Sequence, residues 1–202
     1  MVKLMKIAVL GATGKFGRLF IAKLLSIPNY QITAISKSAE NIYENSHRVT
    51  AKSIDATNQK DLKKALKNQE IVFCAVSGPD QVVIARNLVE LNVKRLIFMS
   101  VVGIYNELPE GNGDEFNLDN EAEQRVHRNA ADIIEGSSLD YTIFRPGYLL
   151  YNDDEDYIIT KKGENAKGYV SNAKSIEKIA LDIIKKPELY SRESIAITKD
   201  MS

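Results

Sequence analysis

The chain has 202 residues, of which 44% are hydrophobic and 27% are charged, as in an ordinary soluble globular protein. This length fits one sizeable domain. Lys and Arg together number 27, as do Asp and Glu, so the formal net charge is zero. No nucleic-acid partner is expected, because proteins that bind nucleic acid carry a clustered basic excess.

The number of cysteines and histidines and the hydropathy of the chain exclude several further classes of protein. The single cysteine, Cys74, rules out an internal disulfide and is predicted to be buried and unreactive. No Cys/His cluster occurs, so no metal site is expected. The N-terminal apolar run is interrupted at Lys6 and ends at Gly11, too short for a signal peptide, and no stretch approaches the about 18 apolar residues of a membrane span. We therefore expect a cytoplasmic protein without membrane contact.

Strand-like and helix-like segments alternate along the chain. Strands are predicted at residues 7–10, 31–36, 49–55, 70–76, 95–105, 140–147 and 194–198. Helices are predicted at residues 16–25, 58–66, 82–91, 122–135 and 175–186. This alternation predicts an α/β fold, a Rossmann-type, doubly wound parallel sheet with helices on both faces. We expect a single domain over residues 1–202, in which residues 148–202 form a small C-terminal elaboration on the substrate side.

Three glycines separate the first predicted strand from the first helix, although each costs about 0.5–1 kcal/mol relative to alanine in regular structure. At this turn of a doubly wound sheet, Gly11 would permit the tight turn, Gly14 would admit a pyrophosphate, and Gly17 would let the helix pack closely. The helix N-terminus adds about half a positive charge. The G-x-x-G-x-x-G spacing differs from G-x-G-x-x-G and from a P-loop. A glycine turn without a ligand is the alternative, but the α/β context favours a dinucleotide.

The end of the second predicted strand carries Ser36, Lys37 and Ser38, with no acidic residue before Glu40. NAD enzymes usually place Asp or Glu there for the ribose hydroxyls. A hydroxyl beside an ammonium suits a 2′-phosphate, so NADP is favoured and NAD remains an alternative. Lys15 would add a second positive charge, unless both lysines are simply solvated.

Two acidic segments follow strand ends, where such sheets bind ligands. Residues 105–124 carry seven carboxylates and no basic residue, and residues 153–156 read DDED. A solvated loop is the expected structure of the first segment. Arg145 is expected to form a structural ion pair, and His47 to be exposed.

Three motifs carry a family resemblance: GATGKFG at 11–17, SGPD at 77–80 and SSLDYTIFRPGYL at 137–149. On these motifs the sequence resembles the atypical short-chain dehydrogenases/reductases over essentially its whole length. It most resembles the NmrA-like NAD(P)-binding group that includes flavin/biliverdin-IXβ-reductase-like proteins.

The resemblance implies a set of cofactor contacts at the carboxyl ends of the strands. Residues 55–56 would contact the adenine, residues 75–78 would run under its ribose, Ser100 would lie beside the nicotinamide ribose, and residues 146–148 would contact the carboxamide. With the glycine turn, the predicted cofactor-binding residues are Gly11, Thr13, Gly14, Lys15, Phe16, Gly17, Ser36, Lys37, Asp55, Ala56, Ala75, Val76, Ser77, Gly78, Ser100, Pro146, Gly147 and Tyr148.

The resemblance implies a catalytic Tyr-x-x-x-Lys pair on the helix after the fifth strand, and that helix lacks the pair. Glu123 and His127 occupy those positions, and Val101 or Val102 takes the place of the usual serine. The candidate catalytic residues are then Ser100 and His127, since a histidine exchanges protons near pH 7. An ordinary solvated helix face, with arginines on either side, is the alternative for the histidine.

These observations predict an NAD(P)H-dependent oxidoreductase that passes hydride to a small planar acceptor, such as a flavin, quinone or carbonyl compound. The alternative is a non-catalytic NAD(P)-binding redox sensor of NmrA-like type, acting on a partner protein. A homodimer is an open expectation in either case.

Overall fold

The computed structural model describes residues 4–201, in which eight strands form one sheet and two more form a small second sheet. The strands of the main sheet are β1 (Met5–Leu10), β2 (Tyr30–Ser36), β3 (Val49–Ser53), β4 (Ile71–Cys74), β5 (Leu96–Met99), β6 (Tyr141–Pro146), β8 (Ile158–Lys161) and β10 (Glu193–Thr198). The second sheet pairs β7 (Tyr148–Leu150) with β9 (Val170–Asn172).

The strand order of the main sheet is β3-β2-β1-β4-β5-β6-β10-β8. All pairs are parallel except β10 with β8. The first six strands have the 3-2-1-4-5-6 order of dinucleotide-binding folds, in which the chain reverses direction across the sheet between β1 and β4. Ligands bind in the crevice beyond the carboxyl ends of the strands at that point.

Helices cover both faces because successive strand side chains point to opposite sides. The helices are α1 (Lys15–Leu25), α2 (Gln59–Ala65), α3 (Gln81–Glu90), α4 (Gln124–Glu135) and α5 (Ala173–Lys185). Ile7 and Val9 of β1 pack in one apolar cluster with α1 and α5. Ala8 and Leu10 pack in the other with α2, α3 and α4. The predicted Rossmann-type α/β fold is therefore confirmed.

Some strands predicted from the sequence differ in their boundaries from those in the structure, and three short strands were not predicted. The fifth strand ends at Met99 rather than continuing to residue 105. The chain then turns through Gly103, whose φ is +94° and where a Cβ atom would lie 2.2 Å from the carbonyl oxygen of Phe116. The three strands β7, β8 and β9 were not predicted, because each has only three or four residues.

The acidic segment that follows β5 is not simply a solvated loop. Glu107 is buried and forms an ion pair with the fully buried Arg145 of β6, as expected for that arginine. The Arg145 guanidinium also donates to the hydroxyl of Ser194 at 3.1 Å. The other oxygen of Glu107 accepts the amide of Tyr105 at 2.9 Å. A buried charge must be paired in this way, so the contact fixes the segment beside the carboxyl end of the sheet.

Within residues 4–201, no helix is both long and apolar enough to cross a lipid bilayer. The main sheet with its five helices forms one domain. The ends of the predicted span, residues 1–3 and 202, lie outside the described residues. The assignment of residues 148–202 to the substrate side stays a prediction.

Candidate functional site

The turn between β1 and α1 lies at the switch point of the sheet. The amides of Gly11 and Ala12 donate to the carbonyl oxygen of Ile35 in β2, at 3.0 and 3.2 Å. The amide of Ala75, just after β4, donates to Leu10 at 3.0 Å. These bonds hold the ends of β1, β2 and β4 side by side, so the predicted glycine turn and residues 75–76 line one crevice.

The three glycines of the turn differ in whether the fold could accommodate a side chain in their place. Gly11 has a φ of +79°, which disfavours other residues. At Gly17 a Cβ atom would lie 2.2 Å from the carbonyl oxygen of Gly11, so only glycine lets the helix pack this closely. Gly14 has an ordinary extended backbone, and its Cβ would meet only the Gly11 carbonyl oxygen, at 3.3 Å. The fold therefore requires Gly11 and Gly17, whereas Gly14 leaves exposed space above the turn.

The first amides of α1 point out of the helix into that space. The earliest bond inside the helix is from the amide of Arg18 to the carbonyl of Gly14, at 3.0 Å. The amides of residues 15–17 precede it and depend on other acceptors. Gly14, at the N-cap, has no side chain to supply one. Three amides and the helix dipole thus form a site that suits a diphosphate.

The residues predicted to bind the cofactor differ in the surroundings of their side chains. Phe16 is buried in the apolar core, so only its backbone can face a ligand. The ammonium of Lys15 lies 3.8 Å from the centre of the Tyr151 ring, a cation–π contact. Ser77 is exposed, and Gly78 adopts a φ of +91° in open space. Lys15, Ser77 and Gly78 line neither of the two cavities described below.

A cavity of about 280 Å³ opens beside the turn, at the carboxyl ends of β1, β2 and β4. Its lining residues are Gly11, Thr13, Ile35, Ser36, Lys37, Ser38, Ile54, Asp55, Ala56, Val76, Asp80 and Ile84. Most of the residues predicted to contact the adenosine half of a dinucleotide are thus brought together. We refer to this space as the adenosine cavity.

Lys37 in the adenosine cavity is paired with two carboxylates. Its ammonium lies 3.0 Å from Asp55 and 3.5 Å from Asp80. Its pKa is raised, chiefly by the hydrogen bond to Asp55. The pKa of Asp55 is lowered, first by the hydrogen bond from the Thr57 amide and then by the Thr57 hydroxyl and Lys37. Asp80, the second partner of this lysine, was not among the residues predicted from the sequence.

A second cavity, of about 210 Å³, opens at the ends of β5 and β6. Its lining residues are Val101, Val102, Phe116, Gln124, Pro146, Gly147, Tyr148 and Tyr169. The ring centres of Phe116 and Tyr169 are 5.4 Å apart. Tyr148 is 74% exposed at the mouth. This space, the acceptor cavity, is predominantly apolar and contains the residues predicted to contact the nicotinamide.

The small sheet builds one wall of the acceptor cavity. The amide of Tyr148 donates to the carbonyl of Tyr169 at 2.7 Å, and the amide of Gly147 donates to the Ser171 hydroxyl at 2.7 Å. A Cβ atom at Gly147 would lie 2.1 Å from the Tyr169 carbonyl oxygen. Phe116, Gln124 and Tyr169 were missed from sequence, because long-range pairing brings them here.

A buried glutamine connects the two halves of the crevice. Gln81, with no exposed surface, donates from Nε2 to the carbonyl oxygens of Val76 at 2.9 Å and Met99 at 2.7 Å. Its Oε1 lies 2.7 Å from Nδ1 of His127. Because Oε1 can only accept, Nδ1 must carry the proton and Nε2 of the neutral imidazole is left as an acceptor.

His127 therefore does not lie on a solvated helix face as the alternative reading supposed. Its imidazole is half-buried, and desolvation lowers its pKa below the ordinary 6.5. The neutral form prevails at pH 7. Ser100, at the end of β5, is 4% exposed, and its amide donates to the Phe144 carbonyl at 2.8 Å. Among residues 4–201, nothing bonds to the Ser100 hydroxyl.

Strand order, glycine turn and paired cavities define a dinucleotide-binding Rossmann domain. Residues 11–187 match the NAD(P)H-binding family model, and the chain belongs to that family. No curated protein matches the sequence.

Solved structures agree with this assignment. A Rossmann-fold NAD(P)-binding family protein from Shigella flexneri is 29% identical, with a TM-score of 0.82 over 98% of this chain and 95% of its own. A short-chain dehydrogenase/reductase from Veillonella parvula, in complex with NADP, is 25% identical, with a TM-score of 0.85 over 96% and 94%. An anaerobillin reductase from Escherichia coli O157:H7 shares the fold at 15% identity, with a TM-score of 0.78 over 98% of each chain. The resemblance to atypical short-chain dehydrogenases/reductases is thus confirmed.

Replacing Gly14 should separate binding from folding. In Gly14→Asp, a carboxylate would cap α1 but occupy the anion site. We expect NADPH affinity, measured by calorimetry, to fall at least tenfold, since about 1.4 kcal/mol of repulsion suffices. The urea midpoint should not fall. Gly17→Ala should instead lower the midpoint, because its Cβ has no room. Unchanged affinity in Gly14→Asp would contradict the assigned phosphate site.

The His127 imidazole should titrate below pH 6.5 in the folded protein, because burial disfavours its charged form. The folded state should then lose stability as pH falls below 6.5, where the unfolded chain binds the proton more tightly. Proton NMR of a His47→Gln variant, whose one remaining histidine is His127, measures this pKa. A value at or above 6.5 would refute the desolvated, neutral imidazole.

Proposed function

We propose that this protein is an NAD(P)H-dependent oxidoreductase that transfers hydride to a small planar acceptor without a Tyr-x-x-x-Lys pair. The acceptor cavity carries the proposal. It is apolar, it has two aromatic rings in its wall, and residues 146–148 belong both to its lining and to the predicted nicotinamide contacts. A flat ring that enters this cavity would lie against the cofactor. An apolar cavity with few polar groups is typical of a small-molecule site.

The chain's own residues would bind and orient both partners. The first amides of α1 would bind the diphosphate, and the adenosine cavity would hold the adenine and its ribose. Ser100 would lie beside the nicotinamide ribose, and Nε2 of His127, which has no partner among residues 4–201, would accept a hydrogen bond from it. A neutral His127 is a hydrogen-bond acceptor at pH 7, so it would position the ribose rather than donate a proton.

The bound cofactor supplies the hydride. Val101 and Val102 line the acceptor cavity with apolar surface, and the resemblance implies that one of them takes the place of the usual catalytic serine. Glu123, at the position of the usual tyrosine, is exposed at the start of α4. Water at the open mouth beside Tyr148 would protonate the reduced acceptor.

The loss of the Tyr/Lys pair also favours a second candidate, an NmrA-like sensor that binds NAD(P) without turnover. Purified protein incubated with NADPH and a panel of flavins, quinones and carbonyl compounds decides between the two candidates. We expect the absorbance of the reduced nicotinamide to decay with at least one acceptor and to stay constant in Gly14→Asp. Tight NADPH binding with no decay for any acceptor would favour the sensor. Location in the cytoplasm and homodimer formation remain predictions.

NADP is the favoured cofactor, since Lys37 lines the adenosine cavity and the similar structure from Veillonella parvula is a complex with NADP. The pairing with Asp55 and Asp80 means that the phosphate must compete with two carboxylates. In Lys37→Ala we expect NADPH affinity to fall about tenfold, the order of one charge-assisted hydrogen bond, with NADH affinity little changed.

Calorimetric titration with both nucleotides measures this selectivity. Lys52→Ala is the matched control, because Lys52 is an exposed lysine on the neighbouring strand. An equal loss of NADPH and NADH affinity in Lys37→Ala, or no loss at all, would refute the role of Lys37 in 2′-phosphate recognition.

A further inference from the structure

The ammonium of Lys15 is held against the side of α1, next to the amides assigned to the diphosphate. Lys15 is the first residue of this helix, and its ammonium lies 3.8 Å from the centre of the Tyr151 ring. Tyr151 lines a cavity of about 520 Å³ together with Leu19 and Lys23 of α1. These two residues follow Lys15 by four and eight positions and share its face of the helix. The contact with Tyr151 therefore keeps the ammonium on this face.

The ring is presented by a segment that ion pairs attach to the rest of the domain. Asp153 lies 2.6 Å from the ammonium of Lys174 in α5. Asp154 forms an ion pair with Lys199, directly after β10. Tyr151 is thus placed beside α1 by residues that belong to other parts of the fold.

The helix dipole disfavours a cation at the position of Lys15. The N-terminus of α1 carries about half a positive charge, and its first turn contains no acidic residue. An ammonium there is repelled unless an anion is bound, so the electron-rich face of a neighbouring ring is a better partner. A diphosphate on the first amides of α1 would reverse the sign of the local charge and attract the same ammonium.

The diphosphate would be the stronger of the two partners. A charge-assisted hydrogen bond from an ammonium to a phosphate oxygen is stronger than a cation–π contact at an exposed site. Side chains of a helix lean toward its N-terminus, so Lys15 can reach an anion bound by the amides of residues 15–17. Tyr151 and the diphosphate therefore compete for one ammonium.

We propose that Tyr151 is a positioning residue for the cofactor, whose ring holds the Lys15 ammonium until the diphosphate takes it over. Binding of the dinucleotide would break the contact between Lys15 and Tyr151. Tyr151 directly follows β7, which begins at Tyr148 in the wall of the acceptor cavity, so this exchange connects the diphosphate site with the acceptor cavity. The inference rests on the diphosphate site of the proposed function.

Removing the ring should strengthen cofactor binding. In Tyr151→Ala, NADPH no longer displaces a partner of Lys15, so we expect calorimetry to give an affinity about threefold higher than in the native protein. Tyr151→Phe keeps the face of the ring and should restore the native affinity. A merely structural role of Tyr151 would lower the affinity instead.

A double-mutant cycle tests whether the effect passes through Lys15. Lys15→Met should lower NADPH affinity about tenfold, and adding Tyr151→Ala to it should cause no further change. Tyr157→Ala is the matched control, because it removes a second tyrosine–lysine contact of the same segment, 5.6 Å from the ammonium of Lys178. It should not raise the affinity, since Lys178 belongs to α5.

Fluorescence follows the exchange directly. The chain has no tryptophan, so Tyr151→Trp places a single indole beside Lys15. We expect its emission to shift with 2′-phospho-ADP-ribose, which carries the diphosphate without the nicotinamide. With 2′-AMP, which lacks the diphosphate, it should not shift. The shift should disappear when Lys15→Met is added.

Three outcomes overturn the inference. They are an unchanged or lower NADPH affinity in Tyr151→Ala, a gain that persists in the Lys15→Met background, and no emission shift with 2′-phospho-ADP-ribose. If the native protein still binds and oxidises NADPH in those cases, the oxidoreductase proposal stands. If Tyr151→Ala raises the affinity and no acceptor is reduced, the proposed hydride transfer fails while the competition for Lys15 stands.

Discussion

The close approach of α1 to the end of β1 is the constraint on which the site depends. Because Gly17 has no side chain, the first turn of the helix lies directly against the carbonyl of Gly11. Phe16 and Phe20 are buried beneath the same turn and hold it in place. The anion site above it is therefore a product of core packing. Folding alone orients the free amides, so a diphosphate needs no rearrangement of the turn to bind them.

Some polar groups along the crevice have hydrogen-bond or ion-pair partners, and others do not. In the adenosine cavity, Lys37 already has two carboxylate partners, Asp55 and Asp80. Just after β5, the Ser100 hydroxyl is buried without a partner among residues 4–201. Buried polar atoms in folded proteins nearly always have partners, so ordered water or a bound molecule would complete the bonding of this hydroxyl.

Local patterns in the sequence predicted the sheet, the helices and the glycine turn, because apolar periodicity and backbone requirements are encoded within a few residues. Roles that depend on distant contacts were not predictable. Glu107 looks like one acid among seven until Arg145 is placed beside it, 38 residues away along the chain. Asp80 and Gln81 are neighbours in the stretch SGPDQ. Their side chains contact Lys37 after β2, Met99 in β5 and His127 in α4, and the local sequence does not indicate these contacts. The antiparallel edge strand β8 gave too short a signal to detect.

The buried amide of Gln81 links β4, β5 and the imidazole on α4, and this has a consequence for how such chains diverge. A residue without that amide would leave two strand-end carbonyls unpaired and would also free the ring to rotate or change tautomer. A change at Gln81 therefore also changes the surroundings of His127. Although they are 46 residues apart, the glutamine and the histidine should be inherited, or lost, together.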